Sequence, residues 1–351
     1  MTELKYKFDY DLAIKEKDLI LKNLDYPFLK YFVSEDKIKE NFKRLINVKP
    51  RIVFEKFTLD SIRLSEEDLL FNGTPLLIIS TVEDYENLDM LSDYFNEQCR
   101  IHCRFFGSIG SIYDFYRQHL DKLIGFIKEN NLEISIKNIR EMIWKYGKKN
   151  KYGECSTFKP KFIKFFINHF NSRKILDISS GWGDRLIGAL ASDIDCYHGF
   201  DPNSCLHPGY KNIIEFFKPI AVNPSAEFII KEQGFEDAKL QNSYYDLVMT
   251  SPPYFDIEIY DKNNPKQSTH KRSERQWYEQ YLLKWISICH NALKNGGVLA
   301  LNINQFRHHH YVSWLISDMK KNSAWKFLGT VGYCNENRKN VQPIFVFQKN
   351  L

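Results

Sequence analysis

The chain has 351 residues, 43% hydrophobic and 26% charged, and a formal charge of +5 at pH 7. This is the composition of a globular protein with a sizeable core, long enough for two domains. The mild positive charge permits a polyanionic partner without demanding one, and no apolar run reaches membrane-spanning length. The charged start Met1-Thr-Glu-Leu-Lys-Tyr-Lys7 lacks a signal peptide's apolar segment, so a cytoplasmic location is expected. The lysine-, asparagine- and isoleucine-rich wording suits an AT-rich genome, viral or bacterial. Seven scattered cysteines without a CxxC pair argue for reduced thiols. Cys99, His102 and Cys103 have no second ligand pair nearby, and no zinc site is expected.

Residues 1–150 are expected to form a mixed α/β region. The β-branched and aromatic content of residues 51–57 and 75–80 predicts two strands. Within residues 84–99, Leu88, Leu91, Tyr94 and Phe95 recur at helical spacing. Further helices are expected over 111–129, with Phe115, Leu120, Leu123, Ile124 and Ile127 inward, and over 136–146. The run Lys145-Tyr-Gly-Lys-Lys-Asn-Lys151 interleaves cations with an aromatic, which suits either a phosphate backbone or a solvated linker. Arg100, Arg104, Arg117 and Arg140 add positive charge, making this region a candidate for substrate recognition.

From about Thr157, short apolar strands alternate with helices, as a parallel sheet with crossover helices requires; a second unit is expected over 151–351. Residues 174–179 predict its first strand, which places Asp177 to meet a cationic or hydroxylated ligand. In the following turn, Ser180-Gly-Trp-Gly-Asp-Arg185, Gly181 and Gly183 let the backbone come close to a ligand. Leu186 stands where a dinucleotide fingerprint has its third glycine, which argues against NAD. The strand 196–201 ends in Asp201, at the offset where such folds bind ribose hydroxyls; capping a helix before Pro202 is the alternative role. A third strand over 227–231 leads to Glu236 and Asp237. The fourth begins at Leu247 and stops at Ser251-Pro-Pro-Tyr254, because proline lacks the N–H a ladder needs. A helix over 274–293 and a strand over 296–302 follow.

Rigid prolines hold a hydroxyl and a carbonyl acceptor beside the flat face of Tyr254, an arrangement suited to a planar group bearing an NH2. Ser251-Pro-Pro-Tyr254 resembles the (Asp/Asn/Ser)-Pro-Pro-(Tyr/Phe/Trp) motif of the S-adenosyl-L-methionine (SAM)-dependent amino-methyltransferases, which methylate adenine N6, cytosine N4, guanine N2 or a glutamine amide. The order Asp177, Gly181-x-Gly183, Asp201, Asp237, Ser251 resembles their class I core. The resemblance implies an α/β, Rossmann-like, seven-stranded methyltransferase sheet, closed by an antiparallel hairpin of residues 325–331 and 343–348, with an additional N-terminal α/β region. It implies SAM as cofactor and Ser251, Pro252, Pro253 and Tyr254 as the catalytic corner. Around the cofactor it places Thr157, Phe158 and Pro160 over the methionine, Asp177, Ser179, Gly181 and Gly183 at the loop, Asp201 and Pro202 at the ribose, Asp237 at the adenine, and Ser251. Two features depart from the family pattern. Ser179-Ser180 replaces the usual Phe or Pro, and the catalytic motif follows the cofactor motif, opposite to many Ser-Pro-Pro-Tyr cytosine enzymes.

An exocyclic amine can attack directly and lose its proton to water, so neither Asp256 nor Glu258 is assigned as a base. Lys262, Lys266, His270, Lys271 and Arg272, in the polar stretch 255–273, are candidates for phosphate contacts or a lid. The consecutive His308, His309 and His310 do not converge on one ion, and no metal is expected. A cysteine nucleophile is absent from the corner, which disfavours carbon methylation. The expected activity is methyl transfer to a DNA base, adenine N6 or cytosine N4. An RNA base or a protein glutamine is an alternative acceptor, and a non-catalytic nucleic-acid-binding subunit an alternative role.

Overall fold

A computed structural model describes residues 26–81, 88, 90–105, 107–130, 136–260, 271–306, 308–337 and 339–350. Its first strands are β1 Arg51–Val53, β2 Leu70–Phe71, β3 Thr74–Ser80, β4 Arg104–Phe105, β5 Gly110–Ser111 and β6 Tyr152–Gly153. They are followed by β7 Lys174–Asp177, β8 Cys196–Phe200, β9 Glu227–Lys231, β10 Tyr245–Thr250, β11 Glu258–Ile259, β12 Leu293–Asn302, β13 Trp325–Asn335 and β14 Gln342–Lys349. The helices are α1 Glu35–Asn47, α2 Asp93–Arg100, α3 Ile112–Glu129, α4 Ile136–Lys149 and α5 Pro160–His169. Then come α6 Asp184–Leu190, α7 His207–Phe217, α8 Glu274–Trp277, α9 Leu283–Ala292 and α10 Tyr311–Lys321, with a π turn, Tyr278–Leu282, joining α8 to α9.

Alternation along the strands builds the layers. Ile175, Leu247, Met249, Val298, Ala300, Ile344 and Val346 face the helices α5, α6 and α7, while Leu176, Val248, Leu299, Leu301, Phe345 and Phe347 face α8, α9 and α10. Successive side chains on a strand point to opposite faces, so a sheet covered on both sides needs a continuous apolar run. The order β9-β8-β7-β10-β12-β14-β13, with β14 antiparallel to both neighbours, is the expected seven-stranded core.

Three strands more than expected join it. β3 pairs parallel with β13, β1 antiparallel with β3, and β2 also pairs with β3, giving ten strands. The two strands expected over 51–57 and 75–80 thus extend the central sheet. The helices α3 and α4 pack instead on a cluster of their own that includes Phe115, Tyr116, Leu123, Ile139 and Ile143. The helix expected over 84–99 is found as Asp93–Arg100, while residues 82–87 and 89 lie outside the described residues.

One expectation is overturned. Cys99 and Cys205 form a disulfide across a separation of 106 residues, leaving five free cysteines. No local spacing marks such a pair; it forms because α2 packs beside the short turn Ser204–Leu206. Among the described residues no helix is long and apolar enough to cross a membrane, and no group of three His, Cys, Asp or Glu side chains could hold a metal.

Candidate active site

The ends of β7 and β10 are tied together by a buried carboxylate. Asp177 accepts from Arg185 Nε at 2.7 Å, Tyr197 OH at 2.5 Å, Thr250 Oγ1 at 2.9 Å and the Ser179 N–H at 3.3 Å. These fill the four acceptor positions a carboxylate offers, so Asp177 braces the two strand ends. Ser179 acts similarly: its hydroxyl donates to the Ser251 carbonyl at 2.9 Å and lies 3.0 Å from Thr250 Oγ1. Both expected cofactor residues therefore grip the start of the Ser251–Tyr254 corner.

At that corner Tyr254 OH donates to Asn302 Oδ1 at 2.7 Å, and Ser251 Oγ lies 2.8 Å from Tyr254 OH and 3.2 Å from Asn302 Oδ1. Burial pushes the Tyr254 phenol well above its ordinary pKa, so it keeps its proton. With that single proton on Asn302, the Ser251 hydroxyl gives its own to the Tyr254 oxygen, and the Ser251 lone pairs remain for an incoming N–H. Asn302, the last residue of β12, is oriented by its amide Nδ2 donating to the Pro343 carbonyl at 2.8 Å. Sequence reasoning missed it. The available signal was a polar residue closing the apolar run Gly297-Val-Leu-Ala-Leu-Asn302.

The glycine turn lines the same cavity as this corner. Gly181 (φ 57°) and Gly183 (φ 98°) adopt left-handed backbone conformations that favour glycine. A Cβ on Gly183 would approach Ile213 to 2.7 Å, whereas at Gly181 nothing comes closer than 3.8 Å. Gly183 is thus required by packing on α7, while Gly181 keeps an open approach to its backbone. The Gly181 N–H donates to Asp201 at 2.9 Å, and the other Asp201 oxygen accepts from the Asn203 N–H at 2.9 Å. Burial raises the Asp201 carboxyl to about 6, opposed by those two N–H groups.

A cavity of about 900 Å³ connects the two sides; Thr157, Phe158, Gly181, Trp182, Arg185, Ser251, Tyr254 and Asn302 are in its wall. Asp177, Ser179 and Asp201 lie one hydrogen bond behind this wall. Pro160 opens α5, with its carbonyl where a Cβ on Gly188 would fall, and so packs on α6. Asp237 is exposed in the turn Phe235–Asp237, outside the wall, while the half-buried Glu236 accepts from Tyr281 OH at 3.2 Å.

Residues 245–350 match a family model, N6_N4_Mtase, described as DNA methylase. The matched stretch, less than a third of the chain, is similar to that family. No curated protein sequence matches the chain. Solved structures that align with it include a proposed S-adenosylmethionine-dependent methyltransferase of Listeria monocytogenes, at 12% identity, covering 54% of this chain and 97% of that one, TM-score 0.38. A SAM-dependent O-methyltransferase of Thermotoga maritima aligns at 10% identity, over 55% and 66% of the two chains, TM-score 0.37. An rRNA methylase of Streptococcus thermophilus aligns at 13% identity, over 55% and 98%, TM-score 0.36.

SAM is the methyl donor that the likeness to the DNA methylases implies, and the residues present fit it. Pockets for one drug-sized ligand run from about 300 to 1,000 Å³, so the cavity of about 900 Å³ has room for a donor and a planar acceptor together. Asp201, behind the wall, has each oxygen anchored by a backbone N–H group and so fixes the Gly181 turn that lines the cavity. Trp182 Nε1 donates to the Ser156 carbonyl at 3.0 Å, tying the glycine turn to the segment carrying Thr157 and Phe158.

The segment beyond Tyr254 is held by acids. Glu258, buried in the cavity wall, accepts from Tyr260 OH at 2.5 Å, and burial raises its carboxyl. His309 is clamped between Asp256 at 2.9 Å and Glu274 at 3.3 Å. It fastens the chain after the corner to α8. Lys271 and Arg272 are described, Arg272 lying over the Tyr281 ring at 4.4 Å; Lys262, Lys266 and His270 lie outside the described residues.

The N-terminal region supports the cofactor side. Asn96 Nδ2 donates to the Trp182 carbonyl at 2.9 Å, while its Oδ1 fills the space a Cβ on Gly209 would need. Ser92 Oγ donates to Asp184 at 2.6 Å, at the start of α6. Helix α2 is thereby wedged between the glycine turn and α7. Periodicity marks such a helix as amphipathic but does not say against what it packs.

Proposed function

We propose that this SAM-dependent methyltransferase modifies the exocyclic amino nitrogen of a nucleic-acid base, with DNA adenine N6 or cytosine N4 as its target. The observation that carries the reading is that the Ser251–Tyr254 corner and the glycine turn line one cavity. The family match at residues 245–350, which includes that corner, supports an amino acceptor in DNA.

Bound in the cavity, SAM supplies a methyl carbon made electrophilic by its sulfonium. The protein's part is to hold and aim the amine. The Tyr254 ring, fixed by its hydroxyl on Asn302, offers a stacking face. Ser251 Oγ accepts an amine hydrogen, which turns the nitrogen lone pair out of conjugation with the ring. Such positioning is worth orders of magnitude in rate without any group that takes a proton in the transition state. A base in a duplex would have to leave the stack to reach this corner, at a cost of a few kcal/mol.

Incubation with labelled SAM and separate pools of DNA, RNA and protein tests the reading, followed by mass spectrometry of the nucleosides. The expected product is N6-methyladenine or N4-methylcytosine in DNA. Label found only in protein, or at a ring carbon, would overturn it.

A further inference from the structure

Two cations of the basic run 145–151, which the sequence left between a phosphate contact and a linker, lie in the wall of the same cavity as Ser251 and Tyr254. Trp144, Lys148 and Lys151 all line it, at the end of α4 and just before β6.

Trp144 is 37% exposed. Leaving so large an apolar surface in water forfeits burial energy, yet the ring is held in place. Its Nε1 donates to Glu154, and Glu154 is in turn held by Arg100 Nη1 at 2.7 Å. The result is a fixed aromatic platform inside an open cavity. The Lys148 ammonium sits 3.5 Å from the indole centroid. Loss of hydration there lowers the Lys148 pKa, partly offset by the Glu154 charge, which is already engaged by Arg100. Lys151 has a left-handed φ of 62°, pinned by its carbonyl accepting from the Ile109 N–H at 2.9 Å. A strained non-glycine backbone that fixes where a cation emerges belongs at a binding surface more than at a passive linker. The turn between β13 and β14 adds Lys339 to the lining of the same cavity.

Cations around a fixed exposed indole match the recurring chemistry of single-strand recognition, in which bases stack on aromatics and phosphates meet ammonium groups. We propose that Trp144, Lys148 and Lys151 hold the nucleotide adjoining the target in a single or locally opened nucleic-acid strand, the base on Trp144 and its phosphate on the lysines. This rests on the nucleic-acid reading of the catalytic corner and assigns the N-terminal region a direct part in it. A base on Trp144 cannot also be stacked within a duplex, so the site selects unpaired strand around the target.

The test is fluorescence anisotropy of a short labelled oligonucleotide, single-stranded or duplex, with the full chain over a range of salt concentrations. Methyl transfer and SAM affinity are measured on the same samples. Trp144→Ala should weaken single-strand binding about tenfold or more. Trp144→Phe should restore much of it. Lys148→Gln with Lys151→Gln should lower the slope of log affinity against log salt by about 1.4, two single-strand phosphates' worth. SAM affinity should be unchanged in all three, which separates lost contacts from misfolding. If the wild type methylates the oligonucleotide while these variants bind it as tightly and with the same salt slope, the platform is refuted and the catalytic reading stands. Tighter binding of duplex than of single strand would also refute it. If the wild type methylates protein and no oligonucleotide, the nucleic-acid reading falls and this site falls with it.

Discussion

Two neighbouring regions of this protein satisfy buried polar atoms in opposite ways. Around α2 they are charges: Arg100 makes a two-pronged pair with Asp93 at 2.6 and 2.7 Å and reaches Glu154 at 2.7 Å, and Arg140 meets Glu97 at 2.6 Å. At the Ser251–Tyr254 corner they are neutral, with the hydroxyls of Ser251, Tyr254 and Tyr333 gathered around the Asn302 amide oxygen. The contrast has a physical basis. Charge pairs cost heavily to break and hold a scaffold in a single arrangement. Next to a cationic methyl donor, a neutral acceptor set can take an amine hydrogen without committing a charge to the ground state.

The largest expected effect attacks the charged side. Arg100→Met leaves Asp93 and Glu154 without their shared cation, and should cost about 3–5 kcal/mol of unfolding free energy. Urea titration measures it. A loss no larger than that of an ordinary surface change would mean the cluster is not the scaffold described.

On the neutral side, Tyr254→Ala should reduce turnover roughly a hundredfold or more with little change in SAM affinity. Single-turnover rates and calorimetric titration separate the two effects, and equal activity would remove the stacking role. Asp201→Ala reverses the pattern. SAM binding should weaken by about tenfold or more, the worth of a charged hydrogen bond. An unaltered dissociation constant would leave Asp201 as a brace for Gly181 alone.

Asp184 stands between the two regions. Burial raises its carboxyl from 3.8 to about 7, although Ser92 donates to it. The native state then holds a proton that the unfolded chain releases near pH 4, so this contribution to stability is present below about pH 4 and lost as pH rises to about 7. Asp184→Asn keeps an acceptor for Ser92 and should flatten that decline, with its melting temperature gaining on the wild type between pH 4 and 7. Parallel curves for the two proteins would assign the pH dependence elsewhere. The smallest effect is a count: alkylation of the unfolded, unreduced chain should label five cysteines and spare Cys99 and Cys205.

Much of the catalytic half could be read from the chain itself, for reasons of backbone chemistry. A sheet buried on both faces writes itself as continuous apolar runs, two prolines end a strand wherever they occur, and glycines at positive φ leave few substitutes. Those local rules mark the strands and turns themselves; the strand order β9-β8-β7-β10-β12-β14-β13 and the shared cavity of Ser251 and Gly181 were implied by the family resemblance of the motifs. What folding alone decided depends on partners distant in sequence. The Cys99–Cys205 bond, the wedge of Asn96 behind Trp182, the orientation of Asn302 by Pro343 and the arrival of Trp144 beside the catalytic cavity each join segments with no shared period. Periodicity states which face of an element is apolar; only the packed chain determines what that face meets.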